Sequence, residues 1–320
     1  MIHSRFSRKK IIFLGVAATL LVVAIGVRWQ HAARQQAVVA TLRDAGATVY
    51  YDFDLRGRSN WIGASKRFLR GAFGDDFVGD VEEVFFWGGG DRAAEPRLDE
   101  LSSLPGLRMC CFWEIRVSDA LIARTFTHAP GLTSIVISRA RSDDGLVHAF
   151  SAFPELEGLG LNAVVFPGRA RPRFSDIVKL KFVGITFADV PGETIEDLAR
   201  CTSLTALDLR STDVTDEAIR RIHALCNLEC LGLDYTKIGD ACATSLSTFQ
   251  RLRHLGLGGT SFSDSGLVHL ESLARLETLN VARSKVTDYG IRRFKRALPH
   301  CNILATEAET EVEGNTNRDR

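Results

Sequence analysis

The sequence predicts an α/β solenoid of short strand–helix units, with a parallel sheet on its concave face and one transmembrane helix before it. Three observations support this: an uncharged apolar stretch near the N-terminus, a segment that recurs every 24 residues, and two apolar spacings that alternate within each copy. The chain has 320 residues, of which 45% are hydrophobic and 25% are charged, as in ordinary globular proteins.

The first thirty residues have the pattern of a membrane anchor. Residues 11–27 are 17 residues without a charge, and a helix of that length covers roughly 26 Å of a hydrocarbon core about 30 Å thick. Arg28 can extend its guanidinium group to the interface, and Trp29 suits the headgroup layer. The basic residues at 5–10 precede the stretch, so the positive-inside rule keeps the N-terminus in the cytoplasm.

We therefore expect a cytoplasmic basic segment at 1–10 and a signal-anchor helix at 11–28. The rest of a single-pass membrane protein would then be periplasmic or extracellular. A cleaved signal peptide is one alternative, although its apolar region is usually shorter and ends at a small-residue site. A buried helix of a soluble protein is the other.

The charge distribution disfavours nucleic acid as a partner. Residues 1–28 hold five bases and no acid, which leaves 35 bases against 39 acids in the rest of the chain. A mildly acidic bulk lacks the basic surface that phosphate backbones require. The seven cysteines are an odd number without a C-x-x-C pair, which argues against a complete disulfide framework or a zinc ribbon.

Four copies of the repeat align without a gap, beginning at Leu204, Leu228, Leu252 and Leu276. They share the pattern L-x-x-L-x-L-x-x-T-x-[VIF]-x-D, followed by apolar residues three apart. Positions 4 and 6 have the spacing of a strand with one buried face, and the later residues have the spacing of a helix face. Such small units cannot bury their own apolar faces, so neighbouring copies must stack.

These residues resemble the leucine-rich repeat family, in its 24–26-residue form with one strand and one helix per turn. Weaker copies begin at Val81, Leu107, Leu132 and Leu156, at steps of 24–26 residues. We place a further unit at Ile177, with irregular steps of 21 and 27, which makes about nine units over residues 81–301. The anchor and the T-x-[IV]-T-D repeats also resemble membrane-anchored leucine-rich repeat proteins of planctomycete-type bacteria, a resemblance that implies fold and topology but no defined activity.

The repeat domain, 81–304, should be closed at both ends. A terminal repeat exposes the core unless something covers it, so residues 29–80 are interpreted as a juxtamembrane helix and an N-terminal cap. Within them we expect a helix over 31–45 that ends at Gly46, then a strand over 47–53. Residues 299–304 should add a closing strand, and the acidic tail 305–320 should be disordered.

Polar residues recur at fixed positions of the repeat. The aspartates before the helices are Asp216, Asp240, Asp264 and Asp288, with Asp119 and Asp144 upstream. One carboxylate per turn is too few for calcium, so we expect each to cap its own helix. The hydroxyls at position 9 are those of Thr212, Thr236, Thr260 and Ser284, which should hydrogen-bond the turn that leaves the strand.

No pattern indicates catalysis. Gly158 to Ala163 has the form G-x-G-x-x-A, but its glycines fall inside a strand segment, unlike those of a dinucleotide-binding turn. The chain has no G-x-S-x-G elbow, P-loop or H-E-x-x-H sequence, and its histidines have no metal-ligand spacing. We expect no enzyme activity, no metal and no cofactor. Cys226 and Cys230 could pair in an oxidising compartment, which only geometry can decide.

Positions 3, 5, 7 and 8 of each unit should face outwards from the strands. In the last four units they carry small or polar residues, namely Asp208, Arg210, Asp234, Tyr235, Gly256, Gly258, Asn280 and Arg283. In the first two units they carry Phe85, Trp87, Met109 and Trp113. We predict that Trp87 and Trp113 anchor a partner, with Arg210, Asp234 and Tyr235 as a secondary polar contact. The alternative is that the cap folds over these aromatic residues and buries them as core.

The sequence therefore predicts a non-catalytic interaction module that binds a protein, peptide or glycan outside the cytoplasm. A structural spacer of the cell envelope is the alternative, and it would have similar repeats throughout. Substrate-recognition subunits with an F-box carry similar repeats, but they need a helix bundle near the N-terminus, where this chain has the apolar stretch.

Overall fold

The computed structural model describes residues 8–51, 80–88, 98–115, 118–140, 150, 153, 155–164 and 173–305, and the side chains of these except 8–22 and 119. The chain divides into two compact units. Unit 1 comprises Met1–Ile115 and Ala123–Thr133, and unit 2 comprises Arg116–Ile122 and Ser134–Arg320.

Unit 1 combines a long helix with three strands. Its elements are α1 (Arg8–Asp44), β1 (Thr48–Tyr51), β2 (Val81–Trp87), a 3₁₀ helix (Leu98–Ser103) and β3 (Met109–Trp113). Strand β1 pairs antiparallel with β2, and β2 pairs parallel with β3. Helix α2 (Asp119–His128) contains a boundary between the units.

Helix α1 is one uninterrupted helix of 37 residues. In its second half the buried side chains are spaced three or four residues apart, and they are Ala32, Gln35, Val38, Val39 and Leu42. That spacing places them on one helix face. The Gln35 amide oxygen accepts a hydrogen bond from the backbone N–H of Val81, and Arg28 forms an ion pair of 2.8 Å with Asp80. The helix therefore packs against the start of β2.

Wherever side chains are described, no helix is long and apolar enough to cross a membrane. Most of the predicted span, residues 11–22, lies outside the side chains described. Predictions for residues 1–7, for 52–79 of the cap, for Asp144 and for the tail beyond 305 also lie outside the described residues.

Unit 2 contains eight parallel strands among its described residues, each paired with the next in chain order. They are β4 (Ser134–Ser138), β5 (Gly158–Asn162), β6 (Phe182–Thr186), β7 (Ala206–Asp208), β8 (Cys230–Gly232), β9 (His254–Gly256), β10 (Thr278–Asn280) and β11 (Asn302–Leu304). The helices between them are α3 (Gly192–Leu198), α4 (Asp216–Arg221), α5 (Ala243–Leu246), α6 (Asp264–His269) and α7 (Asp288–Ala297). This is an α/β solenoid, as predicted, and β11 is the expected closing strand.

The irregular unit placed at Ile177 is wrong. Val183 lies opposite Leu159 on one side and Leu207 on the other, so the repeat begins at Leu180 and the 24-residue step continues without a break. Ile177 is buried directly after the 3₁₀ helix Phe174–Asp176, three residues before Leu180, just as Leu225 is buried three residues before Leu228. A buried isoleucine three residues before Leu180 imitated the first position of the repeat.

Contrary to expectation, the aspartates of the last four repeats do not cap their own helices; they are Asp216, Asp240, Asp264 and Asp288. Thr215 is the N-cap residue of α4, and Asp216 is the first helical residue. The Asp216 carboxylate instead accepts a hydrogen bond of 2.8 Å from the backbone N–H of Gly239 in the next repeat. That amide precedes a helical turn and would otherwise lack a partner, so the carboxylate links neighbouring repeats.

The hydroxyl at position 9 acts as predicted. Thr212, Thr236 and Thr260 are buried, and each donates a hydrogen bond of 2.6 Å to the backbone carbonyl three residues earlier. Ser284 makes the same bond at 2.7 Å. Each hydroxyl therefore satisfies a carbonyl at the turn where the strand ends.

Candidate functional site

The strands of unit 1 place aromatic rings on one face of their sheet. Along β2, Val84 and Phe86 are buried in the core, whereas Phe85 is half-buried and Trp87 is 47% exposed on the opposite side. Successive side chains of a strand point to opposite faces. Trp87 lies in register with Trp113 of β3, which is half-buried.

The rings form a continuous series, which we call the aromatic face: Tyr50, Phe85, Trp87 and Trp113. The ring centroids of Tyr50 and Phe85 are 5.2 Å apart, those of Phe85 and Trp87 are 6.4 Å apart, and those of Trp87 and Trp113 are 5.6 Å apart. These separations are favourable for aromatic pairs. The Trp87 indole N–H donates a hydrogen bond of 3.0 Å to the hydroxyl of Thr48, which fixes the exposed ring.

A carboxylate stands beside the aromatic face. Glu83 lies two residues before Phe85, on the same side of β2, and opposite Met109 in β3. Burial, and then the charge of Glu82, raise the pKa of Glu83. Burial and the Glu83 charge raise the pKa of Cys111 to about 12, so this thiol stays protonated. The aromatic face therefore adjoins a partly desolvated negative charge.

Of the cap that could bury these residues, the structure describes residues 37–51, and these leave Trp87 47% exposed; residues 52–79 lie outside the described residues. Strand β1 pairs with the edge of β2, with Thr48 opposite Phe85, so it extends the sheet sideways. Tyr50 of that strand adds a ring to the aromatic face instead of covering it. The structure thus brings Phe85, Trp87 and Trp113 together, while their role in binding stays a prediction.

Sequence reasoning missed Tyr50 and Glu83. The structure buries Val49 and Tyr51 and exposes Thr48 and Tyr50. Strand alternation puts the two adjacent tyrosines on opposite faces, but the sequence does not indicate which one faces outwards. The antiparallel pairing that brings Tyr50 to Phe85 joins segments more than thirty residues apart, and nothing in the repeat pattern specifies it.

The predicted secondary contact lies in unit 2. Its residues Arg210, Asp234 and Tyr235 differ in exposure and in their hydrogen bonds. Arg210 forms an ion pair of 2.7 Å with Asp208. Asp234 is only 8% exposed and accepts hydrogen bonds from the Gly258 N–H at 2.8 Å and the Asn280 amide at 2.7 Å. Burial raises its pKa, and the hydrogen bonds and the Arg210 charge oppose that rise. Asp234 is thus committed to internal bonds, whereas Tyr235 is 54% exposed.

Two glycines on this face lie close to the Asp234 side chain. A Cβ atom at Gly256 or at Gly258 would collide with the Asp234 carboxylate. The outward side of these strands is therefore a shallow groove of about 310 Å³ with a polar network at its centre. It contains no exposed aromatic cluster comparable to that of unit 1 among its described lining residues.

The described part of the chain contains neither a candidate metal site nor a disulfide. No group of three or more His, Cys, Asp or Glu side chains is placed there to hold a metal ion. Gly158 and Gly160 lie inside β5, as the repeat interpretation requires, and not in a phosphate-binding turn. All seven cysteines are free thiols, with Cys226 exposed and Cys230 half-buried.

Comparison with known proteins found one matching family model and several similar solved structures. Residues 200–222 match the family model described as "Leucine Rich repeat". An internalin (inlF) from Listeria monocytogenes is similar at 17% identity, with 64% of this chain and 69% of that chain covered and a TM-score of 0.46. An internalin C2 (inlC2) from the same organism gives 17% identity, coverage of 65% and 84%, and a TM-score of 0.47.

A leucine-rich repeat protein of Leptospira interrogans is also similar, at 16% identity, with 64% of this chain and 56% of that chain covered and a TM-score of 0.41. No curated protein matches the chain. Residues 200–222 therefore match a leucine-rich repeat, and the parallel strands on either side of this segment keep the same 24-residue register.

Proposed function

We propose that the protein is a non-catalytic interaction module that binds a protein or peptide partner through the aromatic face of unit 1. The observation that supports this is the contrast between units. Four rings contact one another in unit 1, whereas the groove around Asp234 in unit 2 is lined mainly by small and polar residues, with Phe182 as an isolated aromatic residue. An envelope spacer, the alternative, would have similar outward residues in every repeat.

The chemistry of the aromatic face suggests what it binds. Exposed tryptophan buries a large area on association and is frequent among binding hot spots. Glu83 lies beside the rings, so a Lys or Arg side chain of the partner could contact both the carboxylate and a ring face. We therefore expect a partner segment that combines apolar residues with a basic one.

We also propose that residues 11–28 anchor the module in a membrane, with the repeats outside the cytoplasm, as in the planctomycete-type proteins that the sequence resembles. The basic residues before the apolar stretch support this orientation. Fusing β-galactosidase, which is active only in the cytoplasm, to the C-terminus tests it. An inactive fusion found in the membrane fraction is expected, and an active one would contradict the orientation.

Substitution at the aromatic face tests the binding role. Trp87→Ala in the detergent-solubilised full chain should weaken partner binding by at least about 30-fold, the ~2 kcal/mol of a hot-spot residue. Binding can be followed by affinity capture with quantitative mass spectrometry, alongside the melting temperature. Tyr289→Ala is the matched control, because Tyr289 is an aromatic residue with 67% exposure at the start of α7.

Three outcomes separate the possibilities. Loss of captured partners at an unchanged melting temperature supports the aromatic face as the site. Retention of every partner by Trp87→Ala and by Trp87→Ala/Trp113→Ala contradicts it. Equal losses in the Tyr289→Ala control would show that the captured proteins adhere to exposed rings without specificity, and would also contradict it.

A further inference from the structure

One residue in each repeat of unit 2 has a left-handed backbone. It follows the strand at position 8, and its φ angle lies between 50° and 65°. These residues, which we call the left-handed column, are Arg139, Ala163, Phe187, Ser211, Tyr235, Gly259 and Arg283. Glycine and asparagine adopt this conformation most easily, and bulky side chains do so at a cost.

Phe187 and Tyr235 are the aromatic members of the column, and core burial does not explain them. Phe187 is 64% exposed and Tyr235 is 54% exposed. Each combines an unfavourable backbone conformation with a large apolar surface left in water. The exposure of the two rings, and not the backbone conformation that all seven column residues share, makes the surface between Phe187 and Tyr235 a candidate site.

The two rings stand on either side of a small residue. Phe187 donates a backbone hydrogen bond to Arg210, and Ser211 donates one to Asp234, so the three column residues belong to successive repeats. Adjacent strands are about 4.8 Å apart, which places the two aromatic residues about 10 Å apart across Ser211. A Cβ atom at Gly259 would collide with the Tyr235 ring, so this ring rests on the glycine.

The space is a groove of about 800 Å³, within the roughly 300–1,000 Å³ typical of small-molecule sites. Polar side chains line it together with the two rings. Among the described residues, the Asp189 carboxylate, the Ser211 hydroxyl and the Lys237 ammonium group make no side-chain hydrogen bond or ion pair. Asp213 also lines the groove and accepts a hydrogen bond of 2.8 Å from the Val190 N–H.

We propose that this groove binds a neutral saccharide that extends from Phe187 across Ser211 to Tyr235, with a sugar ring against each aromatic ring. The C–H groups of a pyranose ring carry partial positive charge and suit the negative face of an aromatic ring. Sugar hydroxyls both donate and accept, so they satisfy the Asp189 carboxylate and the Lys237 ammonium group together. Neither charged alternative fits as well, because Lys237 disfavours a cation and the two aspartates disfavour an anion.

This site is in unit 2 and does not rest on the function proposed for unit 1. Titration calorimetry of the solubilised full chain with cellotetraose, chitotetraose and mannotetraose tests it directly. We expect at least one of the three to bind with a Kd of 1 mM or tighter. The absence of heat from all three at ten times that concentration would overturn the proposal.

Substitution of the two aromatic residues tests whether the saccharide binds in this groove. Tyr235→Asn and Phe187→Asn keep a residue that tolerates the left-handed conformation and remove the ring. Each should weaken saccharide binding at least tenfold without lowering the melting temperature, whereas Tyr289→Asn should leave it unchanged. Saccharide binding that survives both ring substitutions, or competition by an arginine-rich peptide in place of a sugar, would contradict the assignment.

Discussion

The carboxylate of Asp264 accepts two hydrogen bonds from Thr287, one from the backbone N–H at 2.8 Å and one from the hydroxyl at 2.6 Å. The Thr287 hydroxyl in turn accepts a bond from the N–H of Gly290 and so caps helix α7. Asp240 contacts Ser263 in the same way one repeat earlier. The aspartate of one repeat therefore orients the helix cap of the next.

The hydrogen bonds from Thr287 to Asp264 should contribute measurably to the free energy of unfolding. Asp264→Ala removes both acceptors, so we expect the free energy of unfolding to fall by about 0.5–2 kcal/mol, as for loss of a helix cap. Urea denaturation followed by circular dichroism provides the measurement. Asp288→Ala is the matched control. Asp288 occupies the same repeat position as Asp264, but its side chain makes no hydrogen bond with any described residue. Equal losses in both variants would rule out the link.

The contribution of Asp234 to the free energy of unfolding should change with pH in the opposite direction to that of an exposed, hydrogen-bonded aspartate. Burial raises its folded-state pKa, so the folded protein holds the proton more tightly than the unfolded chain. Its contribution to stability is present at low pH and is lost as the pH rises through the folded pKa. Asp234→Asn keeps an oxygen acceptor for Gly258 without the charge.

The stability of Asp234→Asn relative to wild type should therefore increase between pH 3 and pH 7. Denaturant midpoints at the two pH values, converted to free energies of unfolding, provide the comparison. A difference between the proteins that is constant with pH, or that moves in favour of wild type, would show that Asp234 is not destabilised by burial.

Phe187→Asn should stabilise the protein even though it removes an aromatic ring. Its side chain is largely exposed, and asparagine tolerates a φ angle of 53° better than phenylalanine does. We expect the free energy of unfolding to rise by about 0.5–1 kcal/mol. Thermal unfolding measures this, and Tyr289→Asn, within helix α7, should bring no such gain. A loss of stability at Phe187 would mean that the ring has a packing role.

The exposed cysteine should react with a thiol reagent faster than the buried cysteines. Cys226 is exposed, whereas Cys110 and Cys242 are buried, and burial raises the pKa of both. In the folded, unreduced protein at pH 8, iodoacetamide should label Cys226 first, because thiolate and access are both needed. Mass spectrometry of the peptides checks this, with Cys226→Ser as the control. Protection of Cys226 that reducing agent removes would instead indicate a disulfide with Cys230.

The repeat could be predicted because each copy carries leucines at the same positions, and these define its register. Leu207, Leu231, Leu255 and Leu279 lie opposite one another, at the 24-residue interval visible in the sequence. The error at Ile177 arose because Ile177 and Leu180 are both apolar and lie three residues apart, as positions 1 and 4 of the repeat do. The pairing of Val183 with Leu159 and Leu207 decides between the two registers, and it is a property of the folded sheet.

The site was predictable only in part, for a related reason. Strand alternation places Phe85 and Trp87 on one face, and this needs no knowledge of distant contacts. Tyr50 reaches that face through an antiparallel pairing outside the repeat, and the bond from Asp264 to Thr287 crosses from one repeat to the next. The sequence pattern of a single repeat does not specify such contacts, because they join one repeat to another segment of the chain.

The left-handed column also bears on how readily the protein could change what it binds. Residues as different as Arg139, Ala163, Ser211 and Gly259 meet the same backbone requirement, so hydrogen bonding between repeats, and not residue type, imposes the conformation. Side chains at these positions are therefore interchangeable without rebuilding the strands. A library randomised at every twenty-fourth codon would sample a row of adjacent surface groups about 4.8 Å apart on a constant framework.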